Sequence, residues 1–397
     1  MQIFLIATRD IHKHFDLQIN SESSLVNGRK KIMKVKVHAS QNALEIKIGG
    51  LPKIQFLSEQ INFEDRGYYD FALWAILPII MRMGSYAKCK FSVSRACYDS
   101  VIAVSRIWAR WLPELFTEPN FNVDIVDAKV SDNDRILCFF SGGIDSTYSA
   151  IRLQEQGVNN LDCLTIHGMD YRFPDINKFQ ALMDRTSSFR SRMFNKSLVV
   201  RTNLYSVYNS INCNPHDGHI THIFALFSCG SLFPDYGTYL IASDYRRDQQ
   251  FSAHPYGSNS VTNSLIRNAN GRLVTRDDDV SRCEKAKKLL QTGIDLSSLS
   301  ICVDYEFRPQ NCGVCSKCVR TKAMFYATSK NIPNIFHDMS IGDDWYKSID
   351  LNSKPGRVFC GDILDAIRLH GLENELGYSE AKKLWEVASV NARNNSF

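Results

Sequence analysis

The stretch Arg135-Ile136-Leu137-Cys138-Phe139-Phe140-Ser141-Gly142-Gly143-Ile144-Asp145-Ser146-Thr147 decides how this chain is read. Arg135 to Phe140 is a short, almost continuous apolar run, the pattern of a strand buried on both faces. The two glycines that follow lack a Cβ, so the backbone can turn sharply and bring its N–H groups close to an anion. Asp145 or Ser146 then caps a helix that ends near Gly157. A helix start carries partial positive charge and unused N–H donors, which together suit a phosphate. Hydroxyls of Ser141, Ser146 and Thr147 add donors, and Asp145 supplies a carboxylate suited to magnesium. The Lys of a Walker A loop is missing, so the loop should hold a pyrophosphate rather than catalyse γ-phosphoryl transfer.

Three further runs repeat the strand pattern: Leu161 to His167, Ser197 to Thr202 and Thr238 to Ser243. Each is separated from the next by enough residues for a crossover helix, which predicts an α/β fold with a parallel, doubly wound sheet. Ligands of such sheets sit at the carboxyl ends of the strands. Residues 1–130 have a different texture. Met33 to Val37 and Leu44 to Ile48 alternate apolar with charged residues, as half-exposed antiparallel strands do, and Gly49-Gly50 reads as a turn. Helices are predicted over Tyr69 to Met83 and Asp99 to Leu112, the second stopped by Pro113. The reading is an N-terminal α+β domain (1–130), a structural or partner-binding module. It ends at the polar Ser131-Asp132-Asn133-Asp134; a nucleotide-binding domain (131–330) follows, then a helical extension (331–397). The extension carries amphipathic helices over Asp362 to Leu369 and Ser379 to Val390.

Of the 397 residues, 44% are hydrophobic, 22% charged and 11% aromatic, which excludes a disordered or collagen-like chain. Lys plus Arg is 47 and Asp plus Glu 42, a net charge of +5. So small a surplus argues against a nucleic-acid partner and is compatible with an anionic small substrate. Met1 to Asp10 lacks the pattern of a secretory signal. The longest apolar run, Phe71 to Met81, contains Pro78 and is too short to cross a bilayer. A cytoplasmic, reduced chain with no membrane partner is expected.

In that setting the 12 cysteines are thiols or metal ligands rather than a disulfide framework. Cys302, Cys312, Cys315 and Cys318 form C-x9-C-x2-C-x2-C, with three thiolates on one tight turn and Gly313 relieving the backbone. Four thiolates and no open position suit structural zinc, and the same soft sulfurs also suit an iron–sulfur cluster. The other eight cysteines are scattered and read as small core hydrophobes.

Ser141-Gly142-Gly143-Ile144-Asp145-Ser146 resembles the SGGxDS loop of the N-type ATP pyrophosphatases, found in GMP, NAD and asparagine synthetases and in tRNA-modifying enzymes. The resemblance implies an adenine nucleotide alpha hydrolase-like fold and activation of a substrate oxygen by ATP with release of pyrophosphate. It assigns nucleotide contacts to Phe140, Ser141, Gly142, Gly143, Ile144, Asp145, Ser146 and Thr147, with Asp145 and Ser146 catalytic. With the cysteine knuckle added, residues 135–330 resemble the 7-cyano-7-deazaguanine synthase (QueC) family. That likeness implies zinc on Cys302, Cys312, Cys315 and Cys318. It also implies ATP-dependent adenylation of a deazapurine-type carboxylate, 7-carboxy-7-deazaguanine or a relative, which is then joined to an amine.

Substrate contacts are expected from four positions. Asp244-Tyr245 resembles the start of the family's DYSGYPDCR segment, and His219 stands where the family begins a GRN helix. Arg282 lies in the stretch matching TKAEI, and its forked guanidinium is not equivalent to a lysine. The chain departs from the family after Tyr245, reading Arg246-Arg247-Asp248-Gln249-Gln250, and in carrying residues 1–130. The extra domain is similar to the layout of QueC-like proteins of bacterial anti-phage defence, the QatC type among them. It implies that the amine is either ammonia or an amino group of a protein held by residues 1–130. Two other functions use the same loop: a tRNA-modifying ATP pyrophosphatase, and a non-catalytic nucleotide-binding subunit of a defence complex.

Other candidates have plainer readings. His216, His219 and His222 follow the third strand. His219 and His222 would share one face of a helix starting near Gly218, either contacting a phosphate or a metal at the edge of the sheet or serving as a capping and a packed histidine. His254 to Asn259 is a turn-rich loop, a lid or a connector. Asp277-Asp278-Asp279 places negative charge before a helix over Ser281 to Gln291. Arg320 and Lys322 lie just after the knuckle; either Arg320 reaches a phosphate or carboxylate, or the two form a solvated basic face.

Overall fold

The computed structural model describes residues 25–26, 29–30, 32–64, 67–84, 86–128, 133–214, 220–250 and 256–394. Among these, a short ribbon of β1 (Leu25–Val26) and β2 (Arg29–Lys30) precedes the ten strands of one sheet. These are β3 (Ile32–Ser40), β4 (Ala43–Ile48), β5 (Ile54–Leu57), β6 (Tyr86–Ser94), β7 (Asn120–Val126), β8 (Ile136–Phe139), β9 (Leu161–His167), β10 (Ser197–Thr202), β11 (Thr238–Ala242) and β12 (Arg272–Arg276). The first helices are α1 (Asp70–Met83), α2 (Arg95–Trp111), α3 (Ile144–Glu155), α4 (Ile176–Arg185), α5 (Ser187–Met193), α6 (Leu204–Ser210) and α7 (His222–Gly230). They are followed by α8 (Arg247–Gln250), α9 (Ser260–Asn263), α10 (Arg282–Gln291), α11 (Ser316–Ser329), α12 (Lys354–Leu369) and α13 (Tyr378–Asn394). None of the described helices is long and apolar enough to cross a membrane.

The sheet is mixed and mostly parallel, in the order β12-β11-β8-β9-β10-β5-β4-β3-β6-β7. From β8 the chain steps to β9 and β10 on one side, then returns to place β11 and β12 on the other. All four of these pairings are parallel. Neighbouring strands that leave in opposite directions splay their following loops, so a crevice opens at their carboxyl ends. The continuous apolar runs are explained by burial on both faces. Leu137, Phe139, Tyr239 and Ile241 enter one core with α1 and α7. The alternate residues Cys138, Phe140 and Leu240 enter a second core with α3, α10, α11 and α12.

The N-terminal segment is continuous with this architecture. Its alternating runs pair antiparallel as their period predicts, Val35 opposite Ile48 and Val37 opposite Ile46. β5 then pairs antiparallel with β10, Phe56 opposite Thr202, so the sheet runs across the boundary expected at residue 131. The core is shared as well. Trp74 of α1 lies edge-on to Phe227 of α7 at 5.4 Å, and its indole N–H donates to the Arg267 carbonyl at 3.2 Å. Asp70, only 4% exposed, accepts from Ser94 and from the Ala269 N–H at 2.9 Å.

Local signals place the helix ends with small shifts. α2 starts four residues before the predicted Asp99, because Ser94 accepts from the Cys97 N–H and acts as the cap. α12 likewise begins at Lys354 rather than Asp362, capped by Ser353 with Pro355 in its first turn. The extension packs inward: Phe359, Cys360 and Ile363 are buried in the second core.

Candidate functional site

β8 delivers the chain into the glycine turn at the carboxyl edge of the sheet. Gly142 has φ +76, and a Cβ there would stand 3.1 Å from the Thr186 methyl, so the position suits glycine. The turn is tied down locally. The Gly143 N–H donates to Ser141 Oγ at 3.3 Å, Ser146 Oγ donates to the Gly143 carbonyl at 3.2 Å, and the Ser300 N–H holds the Gly142 carbonyl at 2.9 Å. α3 follows directly. Its cap residue is Gly143 with no side-chain cap, so neither Asp145 nor Ser146 plays the expected capping role. Both sit inside the first turn instead, where Asp145 complements the helix dipole.

A cavity of about 320 Å³ lies against this turn. Phe140, Ser141, Gly143, Ile144, Asp145 and Ser146 line it, whereas Gly142 and Thr147 do not. Thr147 is 1% exposed and its N–H closes the helix onto the Gly143 carbonyl at 3.1 Å. Asp244 and Arg282 also line the cavity. Tyr245 does not: it is buried, stacked on Phe359 at 5.3 Å. His216 and His219 lie outside the described residues. Within them α7 begins at His222, later than the start expected near Gly218. His222 reaches the cavity lining, with Nε2 2.8 Å from Ser258 Oγ. Tyr256 and Ser258 of the turn-rich loop line the same cavity.

Electrostatics centre on Asp145. Arg282 grips its carboxylate through Nη2 at 2.6 Å and Nε at 3.0 Å, and Lys285 Nζ approaches the other oxygen at 3.2 Å. Burial opposes ionisation of Asp145, yet the two cations outweigh it and hold its carboxyl down at about 2. Lys285 is fully buried and also donates to the Ser243 carbonyl. Its role went unread in the sequence, although one signal was there: Lys285 lies three residues after Arg282, on the same helical face. Arg282 also stands 3.6 Å from Asp244, so it bridges two carboxylates. Asp244 accepts from the Tyr256 hydroxyl, while its Oδ1 is buried with no partner. Both Asp145 oxygens face cations, so magnesium on Asp145 would require those contacts to open.

The acidic run before α10 is built into ion pairs. Arg152 holds Asp277 at 2.9 Å and Asp279 at 2.8 Å, and Arg247 holds Asp278 at 2.9 Å. Helix α10 is instead started by a capping box of Ser281 and Glu284.

Cys302, Cys312, Cys315 and Cys318 converge, all four sulfurs within 4.8 Å of one another, and can hold a metal such as zinc. The fit is geometric. Tetrahedral zinc with Zn–S bonds of about 2.3 Å needs sulfurs about 3.8 Å apart. Cys302 and Cys315 stand at 3.7 Å, Cys312 and Cys318 at 3.9 Å. N–H groups of Val314 and Cys315 point at Cys312 Sγ, at 3.4 and 3.2 Å, as donors to a ligand thiolate do. Gly313 has φ +85, and a Cβ would lie 2.1 Å from the Asp338 carbonyl oxygen. The other eight cysteines are all buried. α11 starts inside the cluster, with Cys315 as its cap residue and Cys318 in its first turn. Its next residues reach the cavity: Lys317, Arg320, Thr321 and Met324 line it. Lys322 instead turns away and donates to the Asp338 and Ser340 carbonyls.

Compared with family models, curated proteins and solved structures, the chain gives no match.

Proposed function

We propose that the chain is an ATP-dependent ligase that adenylates a carboxylate and joins it to an amine, releasing pyrophosphate and AMP. The reading extends to the finer fold, a doubly wound N-type ATP pyrophosphatase of the QueC-like kind. One observation carries it: a glycine turn between a buried strand and a helix start lines a cavity at the carboxyl edge of the sheet, where the strand order reverses. The first-turn N–H groups of α3 have no acceptor within their own helix and form an anion cradle with Ser141 and Ser146.

In this scheme the turn binds the β- and γ-phosphates of ATP. An oxygen of the acid attacks the α-phosphorus, the bond to the bridging oxygen breaks, and pyrophosphate leaves. The amine nitrogen then attacks the activated carbonyl, displaces AMP and yields an amide after losing a proton. The protein's share is position and charge: Arg282 and Lys285 keep Asp145 ionised beside the cradle, and buried apolar walls limit water around the activated acid. Magnesium enters with ATP, and no residue is assigned to it. Zinc on the four cysteines would fix the start of α11, a structural role. The acid is a deazapurine-type carboxylate, and the amine is ammonia or a protein amino group docked through residues 1–130.

The test is pyrophosphate release from ATP with 7-carboxy-7-deazaguanine, with and without ammonia. Mass spectrometry would follow both the small molecules and co-purifying proteins. A mass increment on a partner protein separates conjugation from amide or nitrile synthesis. Release that is unchanged in both Asp145→Ala and Ser146→Ala removes the loop from the chemistry.

A further inference from the structure

Three carboxylates, Asp145, Asp170 and Asp244, and three cations, Arg282, Lys317 and Arg320, line the cavity, and not all of them are paired. Asp145 is matched by Arg282 and Lys285, and Asp244 stands beside Arg282. Two more cations enter from α11. Arg320 lays its guanidinium on the Phe359 ring at 4.0 Å, and its Nε is buried with no hydrogen-bond partner. Among the described residues, neither Arg320 nor Lys317 makes a side-chain hydrogen bond or an ion pair. A guanidinium is charged at neutral pH. Both side chains are half-buried, so their charge is only partly solvated and a bound anion would compensate it. Lys322, on the same helix, is paired with two carbonyls, so the lack of partners is confined to the side chains that face the cavity.

We infer that Lys317 and Arg320 form an anion subsite, separate from the glycine turn, that takes the carboxylate of a planar acid. A guanidinium presents parallel N–H donors that match a carboxylate, and a neighbouring ammonium adds a point charge. Met169, Tyr171, Tyr205, Leu226 and Met324 line the same cavity and suit a flat apolar body behind that charged group. The subsite itself stands on the unpaired cations; only its identification with the substrate acid rests on the ligase reading. Lys317 and Arg320 leave the cysteine cluster on one helical face, so the metal-bound turn would also set where the acid lies.

The test titrates the full, metal-loaded chain with benzoate and with its uncharged isostere benzamide, each with and without α,β-methylene-ATP. The expected result is benzoate binding at least tenfold tighter than benzamide, a preference lost in both Arg320→Leu and Lys317→Met and partly kept in Arg320→Lys. Nucleotide affinity should change less than twofold in all three. Arg320→Leu replaces a half-buried charge that has no ion pair, so its ligand-free Tm should stay within about 2 °C of the parent, which shows that the variant folds. Equal binding of benzoate and benzamide by the parent, or a preference that survives Arg320→Leu and Lys317→Met, overturns the subsite. Loss of nucleotide affinity as large as the loss of benzoate also overturns it, since the cations would then serve a phosphate of ATP. Should the parent bind no nucleotide while benzoate still depends on Arg320, the subsite stands and the ligase reading falls.

Discussion

At the amino ends of β8, β9 and β11, Arg135 donates to Asp162 at 2.6 Å, and the Tyr236 hydroxyl donates to the same oxygen at 2.7 Å. At the carboxyl ends of the same strands, Arg282 and Lys285 crowd Asp145, and among the described residues Asp244 Oδ1 and Arg320 Nε are buried without a partner. Both ends set half-buried arginine against aspartate. At the amino end the charges balance and close the strand starts against one another. The carboxyl end leaves Lys317 and Arg320, both half-buried, without an ion pair among the described residues beside a cavity. Pairing, more than charge itself, distinguishes the two edges.

The harshest way to break this contrast is to remove the metal. Cys312→Ser, or a chelator, should release the start of α11 and with it Lys317 and Arg320. A loss of about 3 kcal/mol or more is expected, read as a Tm lower by about 3 °C or more, with less bound zinc per chain by elemental analysis. Asp145→Ala should leave the fold standing and cut pyrophosphate release at least a hundredfold, about 2.7 kcal/mol in the barrier. At the other edge, Asp162→Ala should do the reverse. Denaturant unfolding would record about 2 kcal/mol lost, since Arg135 is partly exposed, while turnover per folded chain is unchanged. A large loss of turnover in that variant would mean that the two edges are not functionally distinct.

The gentlest probe is Asp362 on α12, which accepts from Gln249 at 2.8 Å with Arg246 at 3.6 Å. Burial raises its carboxyl from 3.8 to about 6 against the pull of Arg246. The native chain therefore holds an extra proton between those values, and stability falls as pH rises from about 4 to 6. Asp362→Asn should flatten that slope and raise stability at pH 7 by about 1 kcal/mol, as chemical denaturation across pH would show.

Much of the fold was legible because strand burial leaves a short-range imprint. Continuous apolar runs marked β8 to β11 as buried on both faces, and alternation marked β3 and β4. The join of β5 to β10 was not legible, since an antiparallel partner 146 residues away, Thr202 opposite Phe56, has no local signature. The glycine turn and the cysteine cluster were legible for the same short-range reason. Lys285 and Lys317 were not, because a lysine buried against a distant aspartate and one facing solvent have the same sequence neighbourhood.

By itself the sequence determined the turn at Gly142 and Gly143, the tight Cys312 to Cys318 knuckle and the type of most elements. These depend on backbone sterics and residue spacing over a few positions. Only the tertiary structure decided that β3 to β7 share a sheet with the later strands, and that Arg282 and Lys285 close on Asp145. It also left Arg320 and Lys317 uncompensated. Those outcomes depend on which charges meet in a low-dielectric space, a sum over residues far apart in the chain.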